Sequence, residues 1–229
     1  DILLNIANDN DILIITDNLA KYYAVNLQNG ELLWSKTNLT PFNSQIKIYR
    51  DRLYIVDYEN IIHCFSIKDG SKIWSYQTDN FFVKSKKKLS IIIENGKVIF
   101  NNSIGDISSV DVNTGKLLWQ VPTQDSSIYE SAFQLKTSDL IVSNKSILFS
   151  NNKNEFFSIN IDTGTLNWKQ KINSVVRPTA IDNLIFTVSN EGFLSIIENQ
   201  TGNIVRITNI FDIIKEKKRS KIIPVGFIV

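Results

Sequence analysis

The sequence predicts an all-β fold, a β-propeller of four-stranded blades, and two observations support this prediction. A turn motif recurs at intervals of 40, 45, 49 and 38 residues, marked by the glycines Gly30, Gly70, Gly115, Gly164 and Gly202. All four tryptophans of the chain follow one of these glycines by four residues, at Trp34, Trp74, Trp119 and Trp168. Intervals of this size correspond to one propeller blade per repeat.

Each repeat has the pattern of a β-hairpin. An alternating strand leads into an Asn-Gly, Asp-Gly or Thr-Gly turn, and a second strand follows, as in AVNLQNGELLW and SVDVNTGKLLW. Glycine suits such a turn because it adopts a positive φ without steric cost. Four residues before each of the first four glycines, the chain carries a short polar side chain that we expect to accept hydrogen bonds from turn amides. These residues are Asn26, Ser66, Asp111 and Asn160.

Two further strands are predicted before each hairpin. Runs rich in β-branched and aromatic residues begin at Asp11, Arg52, Lys97, Ser146 and Leu184. Shorter and less regular apolar runs precede them, such as those at Ile2 and Gln45, and bring the number of predicted strands to four per repeat. We therefore expect five blades at about residues 1–40, 41–80, 81–125, 126–172 and 173–210, then a basic insert and the start of a sixth blade in residues 211–229.

The tryptophans are predicted to be structural. A single four-stranded blade leaves both apolar faces uncovered, so neighbouring blades must stack face to face. An indole on the outer strand of each hairpin can bury about 150 to 250 Å² against the next blade. A ligand site would not need one copy per blade, so contact between blades is the better interpretation.

Composition excludes several classes of function. A hydrophobic content of 43% and a charged content of 21% are those of a globular domain, and a formal charge of +2 is too small to attract nucleic acid by itself. Cys64 is the one cysteine, so no disulfide can form within the chain. Methionine is absent even at position 1, and we expect that the N-terminus has been removed by processing or truncation.

Catalytic motifs are also missing from the sequence. The single histidine, His63, stands beside Cys64 in the strand IIHCFS, and adjacent strand residues point to opposite faces. The two side chains therefore cannot form a nucleophile-base pair, and His63 is predicted to be structural. No zinc-protease motif, phosphate-binding loop or nucleophile elbow is present. The sequence does not predict an enzyme.

The repeat, approximately A-x-D-x-x-T-G-x-x-x-W, resembles the PQQ-like propeller repeat over nearly the whole chain. The resemblance implies blades whose tryptophan docks onto the neighbouring blade, in rings of seven or eight blades. Five blades and the start of a sixth do not close such a ring. We therefore expect that this chain is part of a larger propeller.

Two branches of this family suggest different functions. Quinoprotein dehydrogenases hold pyrroloquinoline quinone over calcium, against a disulfide between adjacent cysteines. This sequence has no such cysteine pair, so no cofactor and no metal is predicted. Carboxylates of the repeats are better interpreted as a turn cap at Asp111 and a solvated turn residue at Asp162.

The other branch contains non-catalytic propellers such as the BamB-type lipoproteins of the outer-membrane β-barrel assembly machinery. Degenerate repeats without cofactor residues resemble this branch. The resemblance implies a periplasmic, outer-membrane-associated protein whose partner is the barrel insertase. It implies no nucleic-acid partner, and membrane contact only through a lipid anchor outside this chain.

One inter-blade connection, residues 124–139, is unusually apolar. It places four large apolar side chains and a lysine in a polar loop, at Ile128, Tyr129, Phe133, Leu135 and Lys136. Two interpretations remain open. The side chains either fold back over a blade edge or form a partner-binding site, since apolar residues rimmed by polar ones mark such sites. By position, this loop resembles the one that docks the insertase in the assembly lipoprotein.

Two lysine-rich clusters occupy other connections, at residues 84–88 and 215–221. Solvated loops are favoured over contact with phosphates or lipid head groups. Ile210, Phe211, Ile213 and Ile214 precede the second cluster, and a short amphipathic helix with its apolar side on the propeller is predicted there.

The sequence thus favours a non-enzymatic protein-binding scaffold that assists assembly or insertion of outer-membrane β-barrel proteins. Two alternatives remain. One is a fragment of a quinoprotein dehydrogenase whose cofactor residues lie elsewhere, and the other is a propeller sensor domain.

Overall fold

A computed structural model describes residues 4–78, 87–123, 135–219 and 221–228. Within these residues the chain folds into five four-stranded antiparallel sheets, which confirms the predicted β-propeller of four-stranded blades. In every sheet the strands pair in chain order. The chain divides into two compact units, Asp1–Phe133 and Gln134–Val229.

The first unit contains three sheets. The first sheet consists of β1 (Leu4–Asp9), β2 (Ile12–Asp17), β3 (Lys21–Asn26) and β4 (Leu32–Thr37). The second consists of β5 (Lys47–Tyr49), β6 (Arg52–Val56), β7 (Ile61–Ser66) and β8 (Lys72–Gln77). The third consists of β9 (Ile91–Glu94), β10 (Lys97–Asn101), β11 (Ile107–Asp111) and β12 (Leu117–Val121).

The second unit contains two sheets and a short helix. The fourth sheet consists of β13 (Ile141–Ser143), β14 (Ser146–Asn151), β15 (Glu155–Asn160) and β16 (Leu166–Gln170). The fifth consists of β17 (Thr179–Ile181), β18 (Leu184–Val188), β19 (Phe193–Glu198) and β20 (Ile204–Asn209). The helix, α1, spans Glu216–Arg219.

The second sheet shows how alternation builds the core. Successive residues of β6 point to opposite faces because side chains alternate along a strand. Leu53 and Ile55 belong to one apolar cluster with residues of the first sheet, Ile14 and Ala24 among them. Tyr54 and Val56 belong to another, with residues of the third sheet that include Val98, Phe100 and Val110. Both faces of the sheet are therefore buried, and its inner strands can be apolar throughout.

A register shift recurs at the same place in every sheet, between the third and fourth strands. The pairing skips one residue of the fourth strand, as where Ala24 pairs with Trp34 but Val25 pairs with Leu32. The skipped residues are Leu33, Ile73, Leu118, Asn167 and Val205. All five are exposed. Such bulges twist an edge strand and make it a poorer template for uncontrolled pairing.

The C-terminal segment corrects one prediction. The predicted helix at Ile210–Ile214 is wrong, because α1 begins only at Glu216. The Asn209 side chain accepts a hydrogen bond from the Phe211 amide at 2.9 Å, which favours a turn over a helix start. Phe211 is buried, whereas Ile213 is 95% exposed.

Residues 221–228, where a sixth blade is predicted to start, contain no strand. No helix among the described residues is long and apolar enough to cross a bilayer.

Candidate protein-binding site

The five turn glycines share one backbone conformation. Their φ angles lie between 69° and 75°, the left-handed region. Each glycine amide donates a hydrogen bond to the carbonyl four residues earlier, which in the first four sheets belongs to the predicted turn cap. The side chains of Asn26, Asp111 and Asn160 each accept two turn amides, which confirms the cap prediction at these three positions.

Three tryptophans lie against the turn of the following sheet. A methyl group added to the turn glycine would come within 2.7 Å of Trp34 at Gly70, 2.5 Å of Trp74 at Gly115 and 2.5 Å of Trp168 at Gly202. Each indole also donates a hydrogen bond to the carbonyl three residues before that glycine, at Ile67, Val112 and Asn199. The ring thus occupies the space that glycine leaves empty.

The remaining predicted structural residues, Trp119, Gly164 and Gly30, take no part in these three contacts between an indole and a turn glycine. Trp119 is half-buried on β12 opposite Ser109, and Gly164 has the same positive φ as the other turn glycines. Gly30 differs in its surroundings, because a methyl group there would meet nothing within 4 Å. The turn of the first sheet therefore has the conformation of a docking turn but carries no indole among the described residues.

A second recurrent turn, which was not predicted from the sequence, joins the second and third strands of each sheet. Its first residue lies thirteen positions before the turn glycine, at Asp17, Asp57, Asn102, Asn151 and Ser189. In the first four sheets the side-chain oxygen of this first residue accepts hydrogen bonds from the backbone amides two and four residues later. In the fifth, the Ser189 hydroxyl accepts the Phe193 amide. The constant offset of thirteen residues was the available signal.

His63 has the structural role predicted for it. It is 5% exposed, and its Nε2 lies 2.8 Å from Oδ2 of Asp57, while Oδ1 of Asp57 caps the turn. The ring stacks on Phe65, on the face opposite Cys64. Nearby, the Asn60 side chain accepts the amide and the hydroxyl of Ser103 and so ties the second sheet to the third. These buried bonds fix the loop end of both sheets.

The thiol and the carboxylates do not form a reactive site. Burial raises the pKa of Cys64 to about 11, so the nucleophilic thiolate is scarce at neutral pH. Burial also raises the pKa of Tyr54. The Thr114 hydroxyl and amide lower the pKa of Asp111, and the Ser71 hydroxyl and amide lower that of Asp69 to about 2. These two carboxylates are turn caps.

The described residues do not fit pyrroloquinoline quinone and calcium. The described part of the chain holds no group of three or more histidine, cysteine, aspartate or glutamate side chains placed to bind a metal ion. Cys64 lies within an apolar cluster and cannot form a platform for a planar cofactor.

The predicted partner loop lies mostly outside the described residues, which exclude Ile128, Tyr129 and Phe133. The other two candidate residues, Leu135 and Lys136, are described. Leu135 is 7% exposed, so this side chain packs into the protein. Lys136 is exposed, and its amide donates a hydrogen bond to the Asn152 side chain. The structure thus fixes the end of the loop to the fourth sheet and leaves Lys136 open to solvent.

Edge strands provide a second candidate surface. The fourth strand of each sheet is last in the pairing order, so one side of its backbone has no strand neighbour among the described residues. In β20 four consecutive residues, Ile204 to Ile207, are exposed. An edge with free amides and carbonyls and apolar side chains can pair with an added strand.

Comparison with known proteins identifies the family. A family model described as outer membrane protein assembly factor BamB matches residues 3–208 of the chain. The chain belongs to this family. No curated protein matches the sequence.

Solved structures agree with the BamB family in fold. BamB from Moraxella catarrhalis has 16% identity and a TM-score of 0.73, with 91% of this chain and 64% of that chain covered. The computationally designed Ika8 protein has 12% identity and a TM-score of 0.67, with coverages of 90% and 61%. A europium-containing methanol dehydrogenase has 11% identity and a TM-score of 0.72, with coverages of 90% and 50%. The chain thus spans less than two thirds of the length of these structures.

Proposed function

We propose that this member of the BamB family is a non-catalytic, protein-binding scaffold that assists assembly or insertion of outer-membrane β-barrel proteins at the periplasmic face of that membrane. The observation that carries the proposal is the family match over residues 3–208. The likeness to methanol dehydrogenase, at 11% identity, concerns the fold alone and does not favour catalysis.

The framework of the sheets supports a scaffold role. Indole-turn contacts and the buried Asn60–Ser103 bond hold the sheets of the first unit together, and the buried Asp57–His63 contact fixes the turn of the second sheet. Rigid sheets that present loops and edges are a common basis for recognition, because the scaffold fixes the position of the contacting residues. The binding surface then lies in the connections and edge strands rather than in the repeats.

Residues 124–136 of the connection 124–139 are the proposed docking site for the barrel insertase. Tyr129 and Phe133 supply the large apolar side chains that dominate protein interfaces, and exposed Lys136 lies at the end of the segment. Leu135 is buried, so it packs inside the protein and holds the segment in position. We therefore assign partner contact to Tyr129 and Phe133 and positioning to Leu135.

Replacing Tyr129 and Phe133 together with aspartate is expected to weaken insertase binding at least tenfold, about 1.4 kcal/mol or more, because two apolar anchors are replaced by charges. Biolayer interferometry with the periplasmic part of the barrel insertase measures the change. Leu135 stays unchanged in this variant, since a carboxylate at a buried position destabilises the fold whatever the partner does.

The matched control is Leu39→Asp, an apolar-to-acidic change in the connection between β4 and β5, where Leu39 is fully exposed. This control is expected to bind the insertase like the original protein. Equal binding by the double variant and the original protein would reject the loop as the docking site. No binding by the original protein would reject the proposed function.

A further inference from the structure

An open cleft lies beside the edge of the fifth sheet. It has a volume of about 280 Å³, with Phe193, Ile204 and Ile207 as its partly exposed walls, buried Ile172 beneath, and Lys171 and Glu191 at the rim. We call it the Phe193 cleft. Its volume is just below the range of small-molecule sites and suits an inserted side chain. Phe193 is 39% exposed and Ile207 is 54% exposed, so neither is fully used in the core.

The other four sheets show that the fold does not require these apolar side chains. At the position of Ile207, opposite the third strand, they carry Ser35, Ser75, Gln120 and Lys169. At the position of Phe193, four residues after the cap, they carry Lys21, Ile61, Asp106 and Glu155. Polar residues thus support the same strand pairing at the position of Ile207 in all four sheets, and at the position of Phe193 in three of them, with Ile61 as the exception. The exposure of the apolar pair in the fifth sheet favours contact with a partner.

The cleft adjoins an edge that can accept a strand. Ile204 and Ile207 belong to β20, the last strand of its sheet in the described structure. A residue of an added strand directly opposite Ile207 would have its Cβ about 4.5 to 5.5 Å away, on the same face. That side chain would point at the cleft, and the backbone would pair with the free side of β20.

Charge at the rim selects the sequence around the inserted side chain. The Glu191 carboxylate accepts a hydrogen bond from the Asn173 side chain at 2.5 Å, so it is held in place. Lys171 on the rim is an exposed cation, whereas Arg206 is adjacent to Ile207 on β20 and points to the opposite face of the sheet. An acidic residue two positions from the inserted side chain would lie on the cleft face and meet Lys171.

We propose that the Phe193 cleft and the β20 edge bind an extended polypeptide strand that carries a large apolar side chain and, two positions away, an acidic residue. This inference rests on the proposed function and names a second partner chemistry for the scaffold. It concerns a different surface from the connection at residues 124–136.

The probe is an end-blocked, fluorescein-labelled nonapeptide of alternating threonine and valine with phenylalanine at its centre and glutamate two positions later. Fluorescence anisotropy is expected to show saturable binding. Ile207→Ser and Phe193→Glu, which copy residues of other sheets, should each raise Kd at least about tenfold and leave the thermal midpoint close to that of the original protein. Leu166→Lys copies Lys72 at another exposed edge position and should leave Kd unchanged.

Strand pairing has its own readout. The same peptide with methyl groups on the alternate backbone nitrogens of one edge should lose binding, whereas methylation of the other edge should be tolerated. Equal binding of the peptide by the original protein, Ile207→Ser and Phe193→Glu would overturn the proposal, as would the absence of saturable binding. If the insertase fragment binds and the peptide does not, the cleft proposal fails alone; if neither binds, the proposed function fails too.

Discussion

Replacing Trp74 with alanine is expected to lower the free energy of unfolding by about 3 to 5 kcal/mol, the cost of truncating a buried aromatic side chain. Trp74 is 9% exposed, its ring contacts the Gly115 turn, and its indole N–H donates to the Val112 carbonyl at 3.3 Å. The change removes this contact between the second and third sheets and leaves a cavity. Equilibrium urea unfolding followed by circular dichroism measures the loss.

The control for Trp74→Ala is Leu118→Ala in the neighbouring sheet. Leu118 is 46% exposed at the bulge of β12, so its truncation should cost within about 0.5 kcal/mol. An unfolding free energy for Trp74→Ala that equals that of the control would show that the indole does not hold the two sheets together.

Gly115→Ala is expected to be more costly than Gly30→Ala by about 1 to 3 kcal/mol, the usual penalty of overpacking a core. The two glycines have φ angles of 71° and 75°, so the backbone strain of an alanine should be similar at both. Only at Gly115 would the new methyl group lie 2.5 Å from the Trp74 ring. The difference between the two variants therefore isolates the indole contact, and the same urea titration measures it.

A double-mutant cycle makes this second prediction sharper. In a Trp74→Ala background the ring is gone, and the cost of Gly115→Ala should fall to that of Gly30→Ala. Equal costs of the two glycine changes in the original background would mean that the ring can move away freely. The proposed tight docking would then be wrong.

The sequence predicted the repeat because one residue type marks each part of it. Only glycine takes a positive φ without strain, and tryptophan is the largest side chain, so both positions were visible without a structure. Alternation along the strands on either side of each glycine then predicted a β-hairpin. His63 and Cys64 were assigned to opposite faces on the same ground, and the structure confirms that assignment.

The second recurrent turn could not be recognised from one residue type. The oxygens of a carboxylate, a side-chain amide and a hydroxyl all accept hydrogen bonds from backbone amides. Asp57, Asn102 and Ser189 therefore cap the same turn although they are different residue types. The left-handed position three residues later varies as well, with alanine, asparagine and glycine among its occupants. This motif appears only when the repeats are aligned on the glycines.

The Phe193 cleft and the C-terminal turn could not be predicted from the sequence, because both depend on strand register and on local side-chain hydrogen bonds. Ile207 looks like an ordinary strand residue until the register places it opposite Ser195, at a position that is polar in the other sheets. The apolar run before the basic cluster suggested a helix, but the Asn209 side chain ends the strand in a turn. Local side-chain hydrogen bonds of this kind override helical periodicity.

Hydrogen–deuterium exchange of the chain with saturating periplasmic insertase tests whether the scaffold binds protein outside its repeats. We expect slower exchange in residues 124–136 and unchanged exchange in the buried strands β6 and β7. A parallel sample receives pyrroloquinoline quinone and calcium and should show no change. Slower exchange with the quinone and calcium, together with no change anywhere on addition of the insertase, would contradict a protein-binding scaffold.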